Sequence, residues 1–277
     1  MCIRDRFAIY KITAKAPYLT DVTDPTALQL FDSEEVGEDT VYGLAVYQNS
    51  ATGKTYAYGT RNGYNTVAQF ELIDNNGKIT WNKVRTMTLE ADDEDKYAEG
   101  MVVDQEYGKL YIAQEEVGLY SVDALPNEES LALTEDDLII EEGDHGIVAD
   151  LEGLTIYYKE NGEGYLMISS QGNNVYGVFN RTAVGVKNEY INSFAVVATM
   201  EGIDGTQETD SIDVTNFAIS SAFPYGAFIA QDGLDTTSDP DNTQTNFKWI
   251  AWESIASKLG DTDFTSNYNP RTPTNRR

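Results

Sequence analysis

The chain has 277 residues, 41% of them hydrophobic, with 19 Lys and Arg against 46 Asp and Glu and a formal charge of −27. That length and apolar content support a large domain with a real core, and the charge argues against nucleic acid or an anionic membrane as partner, since both demand basic surfaces. The lone cysteine, Cys2, and the lone histidine, His145, exclude an intrachain disulfide, zinc sites built from several His and Cys, and mechanisms that use a histidine pair.

Met1-Cys2-Ile3-Arg4-Asp5-Arg6 reads like a translated sequencing adapter, so 1–6 is set apart as non-native, 7–260 as the domain and 261–277 as a polar, frayed tail. On that reading the chain is truncated at its N-terminus, and the lack of a visible signal peptide says nothing about secretion. No apolar run approaches the length of a membrane span. From Phe7 onward, strand signals dominate: short runs rich in Val, Ile, Tyr and Phe, bounded by Gly, Asn and Asp. Strands are predicted over 42–47, 55–58, 67–73 and 80–87, with Asp74-Asn75-Asn76-Gly77 as a hairpin turn rather than a calcium loop. Further runs start at Glu99, Leu110 and Gly118, at Glu152, Tyr165 and Val175, and at Asp210, Ala227 and Phe247. Only two stretches look helical: a weak one over 128–133, and 252–259 with Gly260 as C-cap. The acidic runs 90–95 and 135–144 read as solvated surface, and 231–245 as a binding loop or disordered excursion. Asn180-Arg181-Thr182 fits a glycosylation sequon, a match short enough to arise by chance.

Tyr42-Gly43-Leu44, Glu99-Gly100-Met101, Glu152-Gly153-Leu154 and Asp210-Ser211-Ile212 recur about 55 residues apart, the period of a propeller blade. Radial repetition brings such equivalent positions together around one axis, and three of the four are carboxylates. Glu99, Glu115, Asp150, Glu152, Asp204, Asp210 and Asp213 together form a candidate acidic ring. Converging carboxylates repel one another unless a cation lies between them, and Ca²⁺ suits an irregular all-oxygen set best. Gln171, Asn173 and the turn Asp232-Gly233-Leu234-Asp235 can supply further oxygens. For any one of these acids taken alone, a solvent-facing loop residue is the simpler reading.

Longer strings are more specific. Glu99 to Ala113, Asp150 to Tyr158, Ser169-Ser170-Gln171-Gly172-Asn173, Ile229-Ala230-Gln231-Asp232-Gly233 and Asn246-Phe247-Lys248 resemble the β-propeller phytases. The resemblance implies an all-β, six-bladed propeller, present here as an incomplete ring of about four blades. The family's upstream Asp-Asp-Pro-Ala motif, lysine pair and Asn-Asn-x-Asp-x-Arg motif have no counterpart in this chain. It further implies a calcium-dependent hydrolase, holding several Ca²⁺ ions, that releases phosphate from phytate (myo-inositol hexakisphosphate) or another phosphomonoester by metal-activated water. Such a protein would be extracellular or periplasmic, and its full-length parent a monomer. By the same resemblance Glu99, Glu115, Asp150, Glu152 and Asp210 would surround calcium, Tyr42 would be the active-site tyrosine, and Gln171 would serve calcium or substrate. Asp204, Asp232 and Asp235 would form a structural calcium site. Tyr42, Glu99, Glu152 and Asp210 are thus the candidate catalytic residues. Arg61 is the candidate phosphate-binding cation, since Arg61-Asn62-Gly63 stands where the family carries Gly-Lys-Glu; Asp235 replaces a usual asparagine and Leu234 a usual acid. The competing reading is a calcium-stabilised binding propeller without turnover.

Overall fold

Residues 5–31, 40–90, 97–184, 187–236, 244–264 and 266–272 are described by the computed structural model. An N-terminal hairpin, β1 (Tyr10–Ile12) and β2 (Leu19–Asp21), precedes four sheets. The first is an antiparallel meander of β3 (Val41–Gln48), β4 (Thr55–Arg61), β5 (Thr66–Asn75) and β6 (Lys78–Thr88). The second runs β7 (Ala98–Asp104), β8 (Lys109–Gln114) and β9 (Gly118–Asp123). The chain then lends β10 (Ser130–Ala132) to the first sheet before β11 (Leu138–Glu141) completes the second. The third comprises β12 (Leu151–Tyr158), β13 (Gly164–Ser170), β14 (Val175–Val184) and β15 (Lys187–Phe194). The fourth holds β16 (Ile212–Thr215), β17 (Ala227–Asp232) and β18 (Asn246–Ala251), followed by the helix α1 (Trp252–Ala256).

The fold is all-β and blade-like. The first strand of each sheet packs on the first strand of the next: β3 on β7, β7 on β12, β12 on β16. The apolar cores therefore lie between blades. Ala45 and Tyr47 meet Met101 and Val103; Tyr111 and Leu119 meet Leu154 and Ile156; Met167 and Val178 meet Ile212 and Phe228. The repeat glycine exists because inner strands approach too closely for a side chain. A Cβ on Gly43 would lie 2.0 Å from the Glu99 carbonyl oxygen, and one on Gly100 1.9 Å from that of Glu152. The strand register also shifts at this point in β3, β7 and β12, a bulge that re-aims the residue before each glycine.

Two expectations give way. The segment 128–133 is not helical: β10 pairs in parallel with β6, with Ser130 opposite Thr86. β6 offers the segment an open edge, and main-chain pairing along that edge outweighs its weak helical signal. Around 135–144 the acids Glu135, Asp136, Glu141, Glu142 and Asp144 are exposed as expected, while Leu138, Ile139 and Ile140 among them are buried as the outer strand of the second blade. The tail is not frayed through Thr272. Asp261 accepts hydrogen bonds from Lys159 Nζ (2.9 Å) and the Tyr165 hydroxyl (2.6 Å). The Asn267 amide donates to Asn216 O (2.9 Å), and the buried Tyr268 donates to Glu106 (3.0 Å). The tail thus ties blades three, four and two together. Helix α1, a further turn over 257–259 and Gly260 at φ 77° match the expected C-terminal helix and cap.

Arg181, in the sequon, is fully buried rather than displayed. It bridges blade three to blade two through Asp104 (Nε 2.6 Å, Nη2 2.9 Å) and Glu106 (2.7 Å). Tyr107 and Tyr158 flank its guanidinium at 4.7 and 4.6 Å.

Candidate metal centre and active site

The bulged starts of β7 and β12 carry Glu99 and Glu152, and the turn after β8 carries Glu115. One carboxylate oxygen of each lies within 4.8 Å of the others. Leu151 N donates to Glu115 O (2.9 Å) and Glu115 N to Tyr97 O (3.0 Å), so main-chain bonds lock the three segments together. Tyr42, from the equivalent position of β3, reaches Glu99 and Glu115 with its hydroxyl. Its ring meets Tyr97 edge-on at 6.2 Å. Asp150 precedes β12, and Gln171 N bonds to its carbonyl (2.9 Å). Gln171 Nε2 in turn donates to Asp210 Oδ1 (2.7 Å), and the Asp210 amide donates to Gln231 Oε1 (2.9 Å).

The electrostatics are those of acids forced together out of water. Burial pushes the Glu152 carboxyl up to about 9, aided by Glu115, Glu99, Asp210 and Asp150. Burial with Asp150 and Glu99 pushes Glu115 up to about 7. Burial and then Glu99 hold Tyr42 above the usual tyrosine range. Glu115 Oε1 and Glu152 Oε2 are buried and find no hydrogen-bond donor among the described residues. Buried acceptors left without donors are costly, and a hard cation would satisfy both at once. This all-oxygen set fits a hard cation.

Other candidates fall elsewhere. Asp213 lies farther along β16, accepting from the Thr155 hydroxyl (3.2 Å) and its neighbour's amide (2.8 Å), and is not part of the cluster. Asn173 is held by Gly146 O (2.7 Å) and Ser170 Oγ (2.8 Å). Arg61 closes β4 opposite Val41, its guanidinium 3.8 Å over the Tyr64 ring. Asp204, Asp232 and Asp235 converge as a second cluster, but around the Lys248 ammonium. His145 stacks on Tyr190 at 4.1 Å. In the 231–245 loop, Gln231 and Asp232 belong to β17, and 237–243 lie outside the described residues, as do 91–96 of the first acidic run. Sequence reading missed Tyr97 and Gln231 as supports for Tyr42, Glu115 and Asp210. Gln231 was visible only as the residue beside Asp232.

The Phytase family profile matches residues 4–276. The chain belongs to the phytase family. A 3-phytase of Bacillus subtilis (strain 168) is 38% identical over 270 residues, covering 97% of this phytase-family chain, which spans 65% of that relative's length. Among solved structures, an α-L-arabinanase of Penicillium chrysogenum superposes with a TM-score of 0.49 at 12% identity, over 87% of this chain and 71% of that one. A GH43_1 enzyme from Xanthomonas citri does so at 0.46 and 12%, over 97% and 85%.

Proposed function

We propose that this chain carries the metal-binding site of a calcium-dependent phosphatase acting on phytate or a related phosphomonoester. The observation that supports it best is the convergence of Glu99, Glu115 and Glu152 with two buried oxygens left without donors. Glu99, Glu115 and Glu152 would hold the metal, with Asp150 and Asp210 completing its charge and Gln171 fixing Asp210. When bound, Ca²⁺ supplies positive charge to phosphate oxygens and acidifies water. Tyr42 orients Glu99 and Glu115 and stays protonated, a hydroxyl donor at the mouth of the site. Arg61, flat on Tyr64, presents a delocalised cation for phosphate.

One observation favours a calcium-stabilised binding module instead. Lys159, Arg181 and Lys248 are all spent in buried ion pairs with carboxylates and are not turned toward the Glu99, Glu115 and Glu152 cluster, so they do not grip a polyanion there. Phosphate release from phytate, with calcium and with chelator, separates the two readings. The phosphatase reading expects calcium-dependent release that Glu152→Gln abolishes. Calcium-dependent phytate binding without release supports the module, and release indifferent to chelator counts against both.

A further inference from the structure

The two acidic clusters differ in what surrounds their oxygens. In the first, Glu115 and Glu152 each keep a buried oxygen with no donor. In the second, both oxygens of Asp204 are taken. Lys248 Nζ donates to Oδ1, while the Thr236 amide (2.5 Å) and hydroxyl (2.9 Å) donate to Oδ2. Asp232, fully buried, accepts from the Gln207 amide at Oδ1 (3.1 Å). Its Oδ2 forms an ion pair with Lys248 Nζ at 3.0 Å, off the direction of a hydrogen bond. Asp235 Oδ1 lies 3.6 Å from the same nitrogen. Lys248 itself sits on β18 between the exposed Phe247 and Trp249 and turns inward, 8% exposed.

We propose that Lys248 is the resident cation of this second cluster. Its ammonium stands where the three carboxylates converge, the position a divalent ion would need. Calcium at that point requires oxygens at about 2.3–2.6 Å and cannot share the space with Nζ. The three carboxylates come from separate segments: the 195–211 connection, the end of β17 and the turn after it. One lysine therefore fastens two loops to the outer strand of the fourth blade, without metal. This departs from the structural calcium site that the resemblance implies for Asp204, Asp232 and Asp235. A corollary is that removing the ammonium exposes three converging carboxylates and opens a divalent-cation site.

The test disables the first cluster with Glu99→Gln/Glu152→Gln and measures calcium binding by calorimetry and thermal unfolding in calcium and in chelator. With Lys248 intact, calcium should neither bind at millimolar concentration nor shift the midpoint. A calcium-induced rise in that background, abolished by Asp232→Asn, would overturn the proposal. Adding Lys248→Met should lower the midpoint in chelator by several degrees and create a calcium-dependent recovery. A Lys248→Met protein as stable as its parent in chelator, with no calcium response, would equally overturn it. Should Lys248→Met not fold, the first arm still decides. The proposal rests on the calcium reading of the first cluster only for the choice of background. A wild-type chain indifferent to calcium would sink that reading, and Lys248→Met in the wild-type chain would then test this one.

Discussion

In chelator, the stability of this chain should fall as pH rises from about 5 to 9, and Glu152→Gln should remove most of that fall. Between its ordinary value of 4.5 and the folded value of about 9, the Glu152 carboxyl keeps its proton when folded and loses it when unfolded. The unfolded state then binds fewer protons, so rising pH favours unfolding. At pH 7 the cost from Glu152 is about 3 kcal/mol, from about 1.4 kcal/mol per pH unit above 4.5. For a chain of this size that corresponds to roughly 5–10 °C in Tm. Glutamine keeps the shape and never ionises, so the variant should be more stable than the parent in chelator at pH 7–9. In calcium the order should reverse, because the parent gains ligand-linked stability that the variant lacks. Thermal unfolding of both proteins across pH, with calcium and with chelator, measures all four limbs. A parent whose chelator stability rises between pH 6 and 9, or a variant that keeps the full calcium response, would refute the reasoning.

Arg181→Met should cost about 3–5 kcal/mol in urea unfolding, because it leaves Asp104 buried and unpaired; the double variant with Asp104→Leu should recover a good part of that loss. Gly100→Ala should destabilise the fold and weaken the calcium response together, since its methyl would enter the Glu152 carbonyl and push β7 from β12; a variant with parental Tm and calcium shift would mean that the inner strands yield freely.

The part of the site that was legible in sequence is the part encoded within each blade. Glu99-Gly100-Met101 and Glu152-Gly153-Leu154 carry in three residues the strand start, the bulge and the close approach of the next inner strand. Repetition at a blade period then brings the carboxylates together, as the structure places Glu99, Glu115 and Glu152. What was not legible depends on partners in other blades. Arg181 finds Asp104 across 77 residues, and locally it reads as the middle of a sequon. Lys248 meets Asp204 across 44, and locally it is a polar residue between two aromatics on an edge strand. Tyr268 meets Glu106 across 162, so the tail that holds three blades together looks merely polar. The 128–133 segment was misread for the same reason: its strand exists only because β6 lends it an edge. Each of these partners neutralises a charge or fills an edge that its own blade leaves open. That explains why acids equally plain in the sequence have different fates. Asp104, Asp204 and Asp232 meet a protein cation, whereas Glu115 and Glu152 keep oxygens that nothing in the described residues satisfies. In a chain of charge −27, converging acids that the fold leaves with neither a donor nor a protein cation, rather than the number of acids, mark where an external cation belongs.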